Sequence, residues 1–194
     1  MRWTIQKMPS YLDIERKIQP DGAASAAGES LAGVVQDHVL AAADARHRTA
    51  SRLGAMPTGH LSEGAANIRM EKEGARAVVV VPIPGITRAF GDLHIRPTNK
   101  KALTIPINAA AYGVRAPELE DSGWHLFTLP SRQGPGAGIL FGRRDGMPSA
   151  VALYLLRTSA DIPQDRGLMP SDEEMGEALA YGVKMAIEME RFAS

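Results

Sequence analysis

The residues able to do chemistry in this chain are few and scattered. Its five histidines, His38, His47, His60, His94 and His125, never fall four apart on a helical pattern, the spacing that turns two imidazoles toward one metal ion. Asp92 and His94 share a face of an alternating segment, which supplies two ligands and lacks a third. The absence of cysteine removes disulfides, thiolate metal sites and a thiol nucleophile together, and suits folding in a reducing compartment. No metal or cofactor is expected.

Gly134, Gly136 and Gly138 suggest a phosphate cradle, yet Ile139 follows and no Lys-Ser or Lys-Thr pair comes after it, so both glycine-rich templates are missed. A mobile hairpin or a subunit-contacting loop over 131–138 is the better reading. A serine nucleophile requires a strained elbow or an adjacent base; Ser131, Ser149 and Ser159 have neither, and Ser171 reads as a helix cap. Asp172, Glu173 and Glu174 are acids of a first helical turn, where the helix dipole favours them. Catalysis is not expected. The competing reading is a small ligand-binding domain or enzyme with a site around His94, Arg96 and His125, which requires a deep pocket on which titrating groups converge.

The formal net charge is zero, which argues against a general nucleic-acid binder, since such proteins carry a basic excess to displace phosphate counterions. The charges are nonetheless unevenly placed. Between Arg46 and Lys101 there are ten lysines and arginines against four acids, and from Ser171 onward six acids against two bases. The candidate interface is therefore Arg46, Arg48, Arg52, Arg88, Arg96, Lys100 and Lys101 on the basic side and Asp172, Glu173 and Glu177 on the acidic side. Two readings stand: ordinary solvated faces, or a basic face that meets the acidic face of the next copy in a head-to-tail ring. Arg46, His47, Arg48 and Arg52 also suit non-specific contact with DNA in the lumen of such a ring, although the lack of interleaved aromatics favours a protein partner.

The elements that position these groups are legible from the apolar pattern. Residues 78–81 are all valine, which suits a strand covered on both faces and stopped by Pro82, Pro84 and Gly85. Residues 92–96 alternate, with Leu93 and Ile95 on one side and Asp92, His94 and Arg96 on the other. Pro97 ends that strand, and β character resumes over 102–107, where Pro106 either places the strand at a sheet edge or ends it. The stretch 75–112 thus reads as an antiparallel meander. Residues 67–72 pair with 76–81 through a tight turn at Glu73 and Gly74. Downstream, Trp124, Leu126 and Thr128 alternate with His125, Phe127 and Leu129, and further strands follow at 139–142 and 151–156.

Helices flank the strands. Over 31–53, Leu31, Val35, Val39, Ala42, Thr49 and Leu53 recur at three- and four-residue steps, and Gly54 supplies the left-handed residue that ends a helix. The basic residues at 46–52 suit the negative end of its dipole. Thr58 caps a short helix reaching Asn67, and 112–123 is an acidic loop. Ser171 to Glu174 form a capping box ahead of a stripe of Leu179, Val183, Ala186 and Ile187. Before residue 31, 1–8 is a short strand or an arm laid on a neighbour, 11–18 a short helix, and 22–30 a linker or the start of the next helix. The expected organisation is an arm, short helix and linker over 1–30 and a single domain over 31–194. The fold class is α+β: a mostly antiparallel sheet packed with a long helix in the N-terminal half and a C-terminal helix. No apolar run approaches the roughly 20 residues that cross a bilayer, and 1–10 lacks the apolar core of a secretory signal, so no membrane partner is expected.

One ordered set of residues resembles a known family. Gly85 and Ile86, Arg88, Gly91 with Ile95 and Pro97, the Leu-Thr-Ile-Pro of 103–106, and Ala111, Tyr112, Gly113, Arg115 and Ala116 follow one another as in the tailed-phage virion morphogenesis proteins. The likeness continues upstream over 46–61 and downstream over 154–174, and weakens before Asp44 and between Glu118 and Ala150. It implies a non-enzymatic structural protein of the neck or tail, acting in tail completion or head-tail joining. A cyclic homo-oligomer that docks onto other neck, connector or tail proteins is implied as well, located in the virion and, during assembly, in the host cytoplasm.

Overall fold

The computed structural model describes residues 2–4, 20–45, 48–73, 76–130 and 136–193 of the chain. The expected helix at 11–18, Arg46, His47, Gly74 and residues 131–135 of the glycine loop lie outside the described residues. In chain order the elements are β1 (Arg2–Thr4), α1 (Pro20–Ala45), α2 (Arg48–Leu53), α3 (His60–Ala65), β2 (Arg69–Glu73), β3 (Arg76–Val80), β4 (Leu93–Ile95), β5 (Leu103–Pro106), α4 (Ala116–Asp121), β6 (Trp124–Pro130), β7 (Gly138–Arg144), β8 (Val151–Arg157), β9 (Ala160–Ile162) and α5 (Asp172–Ala193). Every described strand pair is antiparallel, and the fold is α+β as expected. Contacts gather the chain into two compact units, Met1–Ala45 with Gly59–Gly91 and Asp165–Ser194, and Arg46–Thr58 with Asp92–Gln164.

In the first unit β3 is the middle strand of the order β1-β3-β2. Successive side chains of a strand point to opposite faces, and Ala77, Val78 and Val79 are all buried, so the valine run is covered on both sides. The hairpin partner is the expected one, with Met70 opposite Val79. Of the N-terminal stretch 1–8, residues 2–4 form a strand that pairs with this chain's own β3, and residues 1 and 5–8 lie outside the described residues. Leu31, Val35 and Val39 of α1 pack in one core with Val79, Val81, Ile83, Leu168 and Met175.

The linker reading of 22–30 is corrected: these residues are the first turns of α1. Pro20 suits the first helical position, where its missing N–H costs nothing, and the alanines after Gly22 carry high helix propensity. Thr49 and Leu53, expected on the face of Leu31 and Val35, belong instead to α2 in the second unit, where Thr49 is exposed. Gly54 does adopt the left-handed conformation expected of it, with φ of 65°. The N-cap of α3 is Gly59, not Thr58; its carbonyl accepts the Glu63 N–H at 2.9 Å. The capping box of α5 forms as read. The Ser171 N–H donates to Glu174 Oε2 at 2.8 Å and the Glu174 N–H to Ser171 Oγ at 3.2 Å; the first of these, together with the Ser171 hydroxyl donating to Glu174 Oε2 at 2.9 Å, holds the Glu174 carboxyl below its ordinary value. α5 meets α1 at Gly182, where an added Cβ would stand 2.6 Å from Ala27 Cα.

The second unit contains a two-stranded pair, β4 with β9, and a four-stranded sheet of order β5-β8-β7-β6. The expected meander over 75–112 is therefore wrong: β3, β4 and β5 are strands of three different sheets. The 3-10 turn Ile86–Ala89 and the prolines around it separate β3 from β4 by more than a hairpin connection allows. Pro106 is on an edge strand, β5, as its missing donor requires. The acidic loop 112–123 is corrected in part, because Ala116–Asp121 is helical. The Arg115 N–H donates to Glu118 Oε2 at 3.0 Å, starting the helix. One face of the sheet closes over Ala111, Leu119, Trp124, Leu153 and Tyr154. Tyr154 donates its hydroxyl to the Val114 carbonyl at 2.7 Å, and burial, with Glu118 adding to it, pushes the phenol up. No helix among the described residues is long and apolar enough to cross a membrane.

Candidate functional site

Of the three residues of the alternative site, the structure joins two. β4 and β9 place His94 opposite Asp161, and His94 Nδ1 lies 2.5 Å from Asp161 Oδ1 while Arg96 Nε donates to His94 Nε2 at 3.0 Å. Because guanidinium only donates, Nε2 must accept, which leaves the proton on Nδ1 directed at the carboxylate. The one ring lone pair of that tautomer, on Nε2, is the acceptor for Arg96. The cluster is solvated, with the His94 and Asp161 side chains 48% and 84% exposed. His125 has a different partner, Asp145, at 3.6 Å. Among the described residues no polar side chain is buried besides the aromatic residues Trp124 and Tyr154, and no group of three His, Cys, Asp or Glu is arranged to hold a metal ion. Gly138 opens a strand, not the helix that a phosphate-binding glycine loop requires.

The charged candidates are distributed over both units. Arg46 is outside the described residues, and of Arg48 only the backbone is described, at the start of α2. Arg52 is exposed in the last turn of that helix, and Arg96, Lys100 and Lys101 are exposed around the end of β4. Arg88 is half-buried: its guanidinium is 3.8 Å from Asp165, and its carbonyl accepts the Asp165 N–H at 2.8 Å. It therefore anchors the chain before the 3-10 turn Arg166–Leu168. Asp172, Glu173 and Glu177 are exposed on the first turns of α5.

Two apolar faces escaped the sequence reading. Across the four-stranded sheet, Leu129 lies opposite Ile139, Ile139 opposite Leu155 and Leu155 opposite Ile105, so one row of large aliphatics crosses every strand. Beside that row Phe127 stacks on Phe141 with ring centroids 5.8 Å apart. These residues alternate with Leu126 and Leu140, which pack on the core side, so they line the opposite face. Phe127 and Leu129 are 45% and 53% exposed, and Ile105, Ile139, Phe141 and Leu155 are half-buried. His125 and Arg143 are opposite one another two residues beyond Phe127 and Phe141, and Arg157 stands two beyond Leu155; all three are exposed, giving the face basic ends.

The second face is on α5. Met175, Ala178 and Gly182 are buried on one side of that helix. Tyr181, Met185, Met189 and Phe192, at three- and four-residue steps, form a separate stripe with Tyr181 60% and Met189 68% exposed. Glu174 and Glu177 continue the stripe toward the helix start, and Glu188 borders it, paired with Lys184 at 3.9 Å. The signal for both faces was present in the alternation of Phe127 and Leu129 and in the spacing from Tyr181 to Phe192. What was missing was any means of telling a covered apolar face from an open one. No family model matches the chain, and neither a curated protein nor a solved structure does.

Proposed function

We propose that this chain is a structural virion protein of a tailed phage, acting in tail completion or head-tail joining. It assembles as a ring of identical subunits and docks onto other neck, connector or tail proteins. It works by contact and converts no substrate; it is located in the virion neck or tail and is present in the host cytoplasm during assembly. The observation that carries this reading is the exposed apolar surface, one face on the sheet of the second unit and one on α5. A protein that functions as a soluble monomer rarely leaves contiguous apolar surface open to water. The ordered motifs from Gly85 to Ala116 and the uneven charge support it further.

Interrupting the coding sequence in the phage and imaging the lysate tests the role directly. Filled heads beside unjoined tails are expected, and virions of normal form and infectivity overturn the reading. Native mass measurement of the purified chain tests the assembly. A closed ring is expected, and a monomer at high concentration, with or without partner proteins, overturns it.

A further inference from the structure

The two apolar faces are unlike in shape and in charge, and each fits the other. The sheet row from Leu129 to Ile105 crosses three interstrand gaps, about 14 Å, and the helical stripe from Tyr181 to Phe192 runs about 16 Å. A helix laid on a sheet is a standard way of burying both. The charges agree with the dimensions: Arg143 and Arg157 border the sheet face, where His125 is paired with Asp145, and Glu174 and Glu177 border the stripe, where Glu188 is paired with Lys184. Pairing like with like, sheet on sheet or stripe on stripe, gathers bases with bases or acids with acids.

We infer that the α5 stripe of one copy docks on the open sheet face of the next, a heterologous head-to-tail junction between copies of this chain. The inference rests on the ring reading in taking a second copy as the occupant, and it assigns the residues that hold the ring. A junction between two different patches leaves one of each unused on every growing assembly, so it propagates until rotation closes a ring. Tyr181, Met189, Phe127 and Leu129 form its desolvated centre, and the charged groups its rim, where they steer the encounter more than they add affinity.

The test uses the whole chain with Leu129→Asp or Met189→Asp. Both sites are exposed, and thermal melting confirms that each variant folds. By native mass measurement, each variant alone is expected to be monomeric where the unsubstituted chain assembles. Their equimolar mixture is expected to stop at a dimer, because the Leu129→Asp chain keeps an intact helix stripe and the Met189→Asp chain an intact sheet face. A mixture that stays monomeric overturns the inference, as does dimerisation of either variant alone. Rings indifferent to both substitutions overturn it while leaving the ring reading standing, and an unsubstituted chain that is always monomeric overturns both. The natural absence of cysteine gives a second measurement that does not depend on weakening the fold. Leu129→Cys and Met189→Cys chains, oxidised together, are expected to cross-link only to each other. Homodimer cross-links, or a bond closed within one chain carrying both substitutions, overturn the junction.

Discussion

The three-stranded sheet of the first unit and the four-stranded sheet of the second use alternating apolar residues in different ways. In β3, neighbouring valines point to opposite faces and both are buried, Val78 at 1% exposure and Val79 at 0%; the strand is spent wholly on its own fold. In β6, Leu126 packs on the core while Phe127 and Leu129 face outward. Burying an apolar side chain is worth roughly 1.5–3 kcal/mol, so the second sheet holds back on one face a stabilisation that the first has already realised. On the junction inferred above, that reserve is what the α5 stripe of a second copy would bury.

The largest effects should expose this asymmetry. Val78→Asn and Val79→Asn are each expected to destabilise the first unit by about 3 kcal/mol or more, since each loses a buried aliphatic group and introduces an amide without partners. Denaturant unfolding followed by circular dichroism measures both. Equal costs support a strand covered on both faces; a mild cost at either position means that one face of β3 is open and that the two sheets are alike. Gly182→Val follows, at about 1–3 kcal/mol. The added branch meets the backbone of α1 at Ala27, so the seam between α1 and α5 has to part, while the sheet of the second unit keeps its transition.

A smaller effect probes the covered face of the second sheet. Tyr154→Phe removes the bond to the Val114 carbonyl and is expected to cost about 1 kcal/mol at neutral pH. The phenol is raised by burial, so the folded chain keeps its proton where the unfolded chain has released it. Stability is then unaffected below about pH 10 and falls as pH rises beyond it. The phenylalanine variant should lose that alkaline slope, and a slope unchanged by the substitution would assign it to another group.

The sequence carried the strands and their faces further than it carried their partners. The valine run, the edge position of Pro106 and the capping box at Ser171 were legible because each is decided within a few residues, by branching, by a missing donor and by a spacing of three. The pairing of β4 with β9 and of β5 with β8 was not, because period two tells which side chains share a face and says nothing about which distant strand lies alongside. The same limit hid the site. Asp161 meets His94 only through that long-range register, and the alternation of Phe127 with Leu126 is identical whether the outer face is covered or bare. Local acidity made 116–121 look like loop, although Pro117 and Glu118 at the first turn were helix-start residues.

The smallest expected effect is the most discriminating. Leu129→Asn, on the open face, should change stability by no more than about 0.5 kcal/mol in dilute solution, as an exposed substitution does. If a second copy covers Leu129, the unsubstituted chain gains stability with concentration, because association draws the folded state forward by mass action. The asparagine variant should not. Melting the two chains side by side over a hundredfold range of concentration reads the difference: curves that coincide when dilute and separate when concentrated place Leu129 in a junction. A dilute loss as large as that of Val79→Asn would mean that the face is already covered within the subunit, and the contrast between the sheets would fail.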